Sequence, residues 1–277
     1  MKKLSFVLTL AFAVTILLPS CQKDSLIDPN DPYAGKAAPQ LPQPKTFVMP
    51  MDKNFEEFAN NDPEQRTITN WGHSAANILV WNTILTANLA VPVLAFYESF
   101  NHQAVYQGFG VWLWEYSVSD NSGTYHAKLY GELLASDEVK WDMYVSKDGG
   151  FQDVNWYTGI VAWDQSYAHW TLNYNALNPA PFIQADYQAD NGSGVASIRY
   201  TNIIPGNVGN GGYIEYREGA YNGGEFDRAY DVFKIELDNL LEINWNSLDH
   251  HGRVKDMEKF GDDLWHCWDT NLQDTQC

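Results

Sequence analysis

Apolar and polar side chains alternate one by one through most of the chain from Phe109 to about Lys255. In the first run, 111–118, every second residue is Trp, Tyr or Val. The pattern recurs in the runs 125–129, 139–145, 154–156, 168–174, 182–187, 195–201, 213–216, 229–236 and 241–245. Clusters rich in Asn, Asp and Gly separate many of the runs, at 120–123, 147–150, 190–194, 206–212 and 222–224, and suit tight hairpins. A period of two with such turns predicts a mainly β fold of roughly ten antiparallel strands.

Two forms of that fold satisfy the pattern: an antiparallel up-and-down β-barrel and a strongly curved meander sheet. We expect the closed barrel, because closure removes the exposed edges of so long a sheet. A barrel in an outer membrane is the competing interpretation, since the strands are rich in Trp and Tyr. Asp142, Asp186 and Asp231 fall at mid-strand positions and favour a barrel or sheet outside the lipid.

One helix is expected before the strands. No Asp, Glu, Lys or Arg occurs from Thr67 to Tyr97, and within this stretch Asn77–Val91 has apolar residues over most of a helical circumference. Pro92 should end or kink the helix. We interpret it as one buried helix packed against the sheet, with a transmembrane span as the alternative that its asparagines and threonines disfavour.

The N-terminus has the pattern of a secretory signal. Lys2 and Lys3 precede the apolar stretch Phe6–Leu18, which is too short to span a bilayer comfortably, and Leu18-Pro19-Ser20-Cys21 follows. A secretory signal that stops at a cysteine resembles the lipobox of bacterial lipoproteins. That resemblance implies that residues 1–20 are removed and that Cys21 carries acyl chains. Gln22-Lys23-Asp24 is similar to the short charged signal that sends Bacteroidota lipoproteins to the cell surface.

The segment after the cysteine has few bulky apolar residues and many prolines. These are Pro29, Pro32, Pro39, Pro42, Pro44 and Pro50. Such a composition predicts an extended tether over residues 21–52. A single β-rich domain over 53–277 would follow, with its helical segment at about 67–105, strands at about 109–257 and a C-terminal segment at 258–277.

The formal net charge of −18 limits the classes of partner that the protein is expected to bind. Without residues 1–20, which contain two lysines and no acid, the charge is −20. Nucleic acids and anionic membrane surfaces reward clustered Lys and Arg, so the charge excludes nucleic acid as an expected partner. The expected location is the outer membrane, with the lipid anchor as the membrane contact and the domain facing the periplasm or the cell surface.

Cysteine use fits an oxidising compartment. Beyond Cys21 only Cys267 and Cys277 remain, and we expect them to form a disulfide, with two free thiols as the alternative. A thiolate metal site is disfavoured because no CxxC spacing is present.

Catalytic signatures are not recognisable in the sequence. No HExxH, GxSxG or P-loop occurs, and Asp249-His250-His251 is interpreted as a polar turn rather than a metal site. A pair of distant carboxylates for glycan or lipid hydrolysis stays open. No cofactor, metal or catalytic residue is predicted.

Aromatic residues are the remaining signal. Trp112, Trp114, Trp141, Trp156 and Trp170, together with Trp163, fall on consecutive predicted strands or next to them. They either fill the core or line one face that contacts a ligand, because Trp suits sugar rings and flat apolar molecules. The first functional hypothesis is therefore a non-enzymatic, lipid-anchored binding protein for a small apolar or saccharide ligand. The second is an accessory lipoprotein that docks on another envelope protein, and the third is a carboxylate-dependent hydrolase.

Overall fold

The computed structural model describes residues 28–51, 55, 69–190, 192 and 196–277. These residues contain one antiparallel sheet of fourteen strands, each hydrogen-bonded to its sequence neighbours. The strands are β1 (Val105–Gly108), β2 (Val111–Asp120), β3 (Gly123–Leu133), β4 (Glu138–Lys147), β5 (Val154–Ala162), β6 (Tyr167–Asn175), β7 (Asn178–Gln188), β8 (Ala196–Asn202), β9 (Tyr213–Tyr221), β10 (Phe226–Lys234), β11 (Asn239–Trp245), β12 (Gly252–Lys255), β13 (His266–Trp268) and β14 (Asp274–Thr275). The predicted mainly β, up-and-down architecture is confirmed.

The sheet is open, which corrects the expectation of a closed barrel. Its edge strands β1 and β14 stand at opposite ends of the strand order and are not paired with each other. β1 has four residues and β14 has two, whereas β2 to β7 have nine to eleven each. Strands of four and two residues are too short to pair with each other along the full length of the longer strands. They also expose little unpaired backbone, so the edges are protected without closure.

Helix α1 (Asn70–Ser99) precedes the sheet and is longer than the predicted 77–91. Its first turn is capped by Thr69, whose side chain accepts a hydrogen bond from the N–H of Gly72 at 2.9 Å. Pro92 lies inside the helix, which bends by 69° between its arms Asn70–Thr86 and Ala90–Ser99. A proline removes one helical hydrogen bond and crowds the preceding turn, so the residue bends the helix here without ending it.

The bend of α1 follows the curvature of the sheet. At its start, the Asn70 side chain donates to the Cys267 carbonyl of β13, and near its end the Ala95 carbonyl accepts from the Tyr116 hydroxyl of β2. Thirty helical residues are about 45 Å long. A flat sheet would place β2 and β13 more than about 50 Å apart. A bent helix of this length reaches both strands because the sheet curves around it.

The predicted helix packs against the sheet with one side buried. Ala75, Ile78, Ala95 and Phe96 are in the core, whereas Val80 is well exposed. Within the described residues, no unbroken helix has the length and apolar character needed to cross a bilayer; only the two bent arms of α1 taken together would have them.

Residues 28–51, here called the N-terminal strap, cross the same face of the sheet in the direction opposite to α1. Its hydrogen bonds reach successive strands of the sheet. Asp31 bonds to the N–H of Phe109 before β2, and Gln43 bonds to Gln165 before β6. Met49 then bonds to Tyr200 of β8, and Pro50 bonds to Tyr230 of β10. The described part of the predicted tether is therefore bound to the domain. The strap contains turns within 29–35 and a short 3-10 helix at Pro44–Thr46, and side chains of the sheet satisfy several of its backbone groups. Cys21 and the signal segment lie outside the described residues.

The core contains a row of alternating large and small residues that runs across the sheet. Neighbours in register are Trp112, Gly131, Trp141, Gly159, Trp170, Ala185 and Tyr200, one from each of β2 to β8. The Trp141 ring packs against Gly131 and the Trp170 ring against Gly159, each on the adjacent strand. An ideal Cβ on Gly159 would be 2.1 Å from Cε3 of Trp170, so no larger residue fits that position without displacing the ring.

Tyr157 of β5 carries a hydroxyl that has no hydrogen-bond partner among the described residues, and its side chain is fully buried. Burial raises the pKa of this tyrosine, so it stays neutral. An unpaired buried hydroxyl destabilises the folded state. We expect Tyr157→Phe to raise the free energy of unfolding by about 1 kcal/mol and the melting temperature by about 2–4 °C, measured by thermal denaturation. A lower melting temperature would show that the hydroxyl has a partner in solution.

The C-terminal segment folds back on the sheet. The predicted disulfide between Cys267 and Cys277 is present, with Cα atoms 5.2 Å apart. Helix α2 (Met257–Phe260) is capped by Asp256, whose carboxylate accepts from the N–H groups of Glu258 and Lys259. Asp256 is fully buried and also binds His73 of α1. The start of α1 is therefore joined to the end of β12.

Candidate functional site

A cavity of about 200 Å³ lies between the N-terminal strap and α1, above strands β8 and β9. The strap and α1 form two of its walls, and Tyr200 and Ile214 of the sheet form its floor. The strap and α1 leave a space between them beside the bend of the helix. The cavity is this space.

Hydrogen bonds from the sheet fix the strap side of this cavity. The Tyr200 hydroxyl donates to the Phe47 carbonyl at 2.6 Å and accepts from the Met49 N–H at 2.9 Å. Burial raises the pKa of Tyr200, so the neutral hydroxyl that can both donate and accept is retained. Tyr230 donates to the Pro50 carbonyl at 2.7 Å and holds the next turn of the strap.

The α1 side of the cavity contains the bend. Trp81 and Leu85 come from the first arm of the helix, and Ala90 and Val93 come from the second. A change in the bend angle would therefore change the width of the cavity. The described side chains along α1 place Ala90 at the surface, at the mouth of the cavity.

The lining of the cavity is apolar and uncharged. Phe47, Met49, Met51 and Ile78 supply most of the apolar contact, and no Asp, Glu, Lys, Arg or His is among the residues that line it. Asn82 and Thr86 add side-chain polar atoms at one side, in addition to the engaged hydroxyl of Tyr200, and the Thr86 hydroxyl lies 3.4 Å from the Asn82 Oδ1. A small apolar molecule with at most one or two polar groups matches this lining.

A second, more open cleft of about 540 Å³ lies on the other side of Trp81. It is bounded by Val80 and Ile84 of α1 and by residues at one end of the sheet, including Phe182 and Phe233. Lys234 and Glu236 stand at its outer edge. Because Trp81 borders both spaces, its side chain lies between the cavity and the cleft.

The predicted aromatic ligand face is not formed. Trp112, Trp114, Trp141, Trp156 and Trp170 are buried in the core, and none of them lines the cavity or the cleft. The core alternative describes their position, because all five side chains are buried. Trp163 differs from these five: it lies in the turn between β5 and β6 and is exposed.

Trp81 is the aromatic residue that sequence reasoning missed. Its place on the apolar arc of α1 was visible in the sequence, but the arc did not distinguish it from Ile78 or Leu85. The cavity beside Trp81 exists because residues of the strap form its opposite wall. The sequence predicted that those residues form a tether, so it did not predict a wall there.

The histidine-rich turn is a hydrogen-bonded hairpin between β11 and β12. His251 Nδ1 lies 2.5 Å from Asp249 Oδ1, and its Nε2 lies 3.7 Å from a Glu225 oxygen. The hydrogen bond from His251 lowers the pKa of Asp249. Within the described ranges no group of three His, Cys, Asp or Glu residues is placed to hold a metal ion.

A polar recess of about 590 Å³ lies beside this hairpin. In it the guanidinium of Arg253 lies 4.0 Å from the ring centre of Trp265 and donates to Asn244. The disulfide closes one side of the recess. Its mixture of acidic, basic and aromatic residues makes it different in character from the uncharged cavity under α1.

Comparison of the chain with known protein families, with characterised proteins and with solved structures gives no match in any of the three.

Proposed function

We propose that this protein is a lipid-anchored outer-membrane protein that binds a small apolar ligand between α1 and the N-terminal strap. The observation that carries the proposal is the uncharged, mostly apolar cavity with a tryptophan at its edge. Cavities of this kind hold apolar molecules because the ligand loses contact with water without leaving a charge unpaired. The lipobox-like end of the signal segment supports the anchor.

The lining supports an apolar ligand rather than a saccharide. A sugar ring carries several hydroxyl groups, and each needs a hydrogen-bond partner when it is buried. Besides the engaged Tyr200 hydroxyl, Trp81, Asn82 and Thr86 are the lining residues whose side chains carry a nitrogen or oxygen atom. An acyl chain, or a flat apolar molecule with one hydroxyl group, has fewer polar groups that need a hydrogen-bond partner.

Binding of an uncharged apolar fluorophore tests the proposal. We expect N-phenyl-1-naphthylamine to bind the wild-type protein with a rise in its fluorescence, and a long-chain alcohol to displace it. Ala90→Phe places a ring in the mouth of the cavity, and we expect it to weaken probe binding at least about tenfold, the effect of losing about 1.4 kcal/mol. The measurement is a fluorescence titration at constant protein concentration.

Thr83→Phe is the matched control for this experiment. Thr83 is an exposed residue on the same arm of α1 as Trp81, and it lines neither the cavity nor the cleft. The control adds the same ring to the same helix, so it should bind the probe as the wild type does. Equal binding by the wild type and by Ala90→Phe would place the probe elsewhere and remove the main support for the proposal.

A further inference from the structure

One end of the sheet has a continuous rim of turns that exposes aromatic rings. The rim consists of the turns 109–110, 134–137 and 163–166, which connect β1 to β2, β3 to β4 and β5 to β6. The Leu133 N–H donates to the Gly110 carbonyl, and the Trp163 N–H donates to the Asp137 carbonyl. These bonds join adjacent turns, so the aromatic rings of Phe109 and Trp163 are held on one rigid edge.

The two rings are exposed without an evident benefit to the fold. Phe109 is 60% exposed and Trp163 is 53% exposed. Phe109 also has a φ of 48°, in the left-handed region that glycine adopts more easily. A bulky residue in that conformation costs roughly 1 kcal/mol, and its largely exposed side chain gains little burial in return. An exposed aromatic residue in a strained position is a reason to look for a partner.

The described chain begins at this same rim. Asp31 accepts the N–H of Phe109 at 2.8 Å, and the Tyr33 ring lies so close to Gly110 that an added Cβ would be 3.0 Å from it. Only residues 22–27 separate Cys21 from Asp28. Seven residue spacings reach at most about 25 Å. Acyl chains on Cys21 would therefore keep this rim close to the bilayer.

The opposite end of the sheet is too far away to occupy the same position. β3 runs from one end to the other in eleven residues. At about 3.3 Å per residue, its two ends are more than 30 Å apart. An anchor that reaches the rim at 109–110 holds the far end away from the bilayer.

We propose that the rim formed by turns 109–110, 134–137 and 163–166 rests on the bilayer, with Phe109 and Trp163 in the headgroup interface. This orientation rests on the lipid anchor of the proposed function. Aromatic rings favour the interface because their apolar bodies leave water while their edges stay near polar groups. Asp137, Asp164 and Glu138 lie in or beside the same turns, so the surface that fits is one of zwitterionic lipid rather than anionic lipid.

The far end of the sheet gives the competing orientation. Leu177 is 95% exposed in the turn from β6 to β7, and Val208 is 83% exposed between β8 and β9. These aliphatic tips stand beside the open cleft next to Trp81. They would face away from the bilayer in the proposed orientation.

Reporters at the two ends of β3 distinguish the orientations. Ala135→Cys places a label on the rim and leaves both aromatic rings intact, and Asn121→Cys places the same label on the opposite turn; both positions are exposed. The full-length acylated protein would be labelled with a polarity-sensitive fluorophore and reconstituted in phosphatidylethanolamine–phosphatidylcholine vesicles that contain a headgroup-level nitroxide quencher. We expect quenching of the label at 135 to be at least threefold stronger than at 121.

Removing the rings tests whether they make the contact. Phe109→Ser with Trp163→Ser should reduce the quenching at 135 by at least half, whereas Leu177→Ser with Val208→Ser should leave it unchanged. Thermal denaturation of each variant confirms that it is folded. Equal quenching at both reporters, or stronger quenching at 121, would overturn the orientation.

Vesicle flotation separates this result from a failure of the anchor. The wild type should float with the vesicles and Cys21→Ala should not. If the wild type floats but the two reporters are quenched equally, the anchor stands and the rim contact is wrong. If the wild type does not float, the anchor and the orientation are both overturned.

Discussion

Replacing Asp256 by alanine is expected to lower the free energy of unfolding by about 3–5 kcal/mol, because it removes a buried carboxylate and leaves its hydrogen-bond donors unpaired. Asp256 has no exposed surface, and its Oδ2 lies 2.7 Å from Nε2 of His73. Its Oδ1 accepts from the Asn239 side chain at 2.8 Å and from the first turn of α2. The alanine variant leaves these donors without an acceptor and releases the start of α1. Urea denaturation monitored by circular dichroism measures the loss.

The same carboxylate makes a predictable contribution to acid stability. Burial alone would raise the pKa of Asp256, but the hydrogen bonds from His73 and Asn239 and the attraction of His73 lower it to about 2. The unfolded value is about 3.9. The ionised group therefore stabilises the fold above pH 4, by about 2–3 kcal/mol, and this contribution is lost as the pH falls from about 4 to about 2. Asp256→Asn should lose less stability than the wild type within that window.

Asp262 provides the matched control for Asp256. It forms a similar contact, with its Oδ1 3.0 Å from Nε2 of His266, but both side chains are partly exposed. Exposed pairs contribute about 0–1 kcal/mol, so Asp262→Ala should change the free energy of unfolding by less than 1 kcal/mol. Equal effects of the two alanine substitutions would refute the structural role assigned to the His73–Asp256 contact.

Gly159→Ala is expected to destabilise the protein by about 3 kcal/mol, at the upper end of the usual cost of overpacking a core. The new Cβ would be 2.1 Å from Cε3 and 2.6 Å from Cδ2 of Trp170. The Trp170 ring has no room to move, because it contacts Phe47 of the strap and Tyr157 of β5. The substitution should also loosen the strap, which limited proteolysis near residue 47 would detect.

A double-mutant cycle connects this effect to the tryptophan ring. Gly159→Ala combined with Trp170→Leu should cost less than the sum of the two single substitutions, because leucine leaves room for the added methyl group. Gly150→Ala in the turn before β5 is the control, since its Cβ would meet only the flexible side chain of Lys147, at 3.4 Å. Strict additivity in the cycle would show that the steric contact with Trp170 is not the cause.

The strands from β2 to β12 were predictable because the alternation repeats in each of them, whereas the short edge strands β1, β13 and β14 lie outside the predicted range of about 109–257. Alternation and turn residues act locally, so each hairpin between Phe109 and Lys255 could be identified without knowledge of its neighbours. The same local rules identified the centre of α1 and the bend at Pro92. They could not decide whether β1 and β14 meet, because closure depends on the length and stagger of the whole sheet.

The cavity was not predictable for a related reason. Its walls come from the strap, α1 and the sheet, and residues as distant as Phe47 and Tyr200 meet there. The strap has the composition of a linker and was therefore predicted to be a tether. Its backbone groups bond to side chains that follow more than a hundred residues later, and local sequence rules do not detect such partners. The five core tryptophans were ambiguous because alternation shows which residues share a face and does not show what covers that face.

The crossing of the sheet by the strap and α1 also has a consequence for folding. Neighbouring strands pair in sequence order, so each hairpin can form as soon as its two strands are available. The N-terminal layer cannot dock at that stage, because its last contacts, such as Pro50 with Tyr230 and His73 with Asp256, lie about 180 residues downstream. The first segment to be synthesised is thus among the last to pack. Until then its apolar helix is open to aggregation, and a chaperone that holds this segment would speed productive folding.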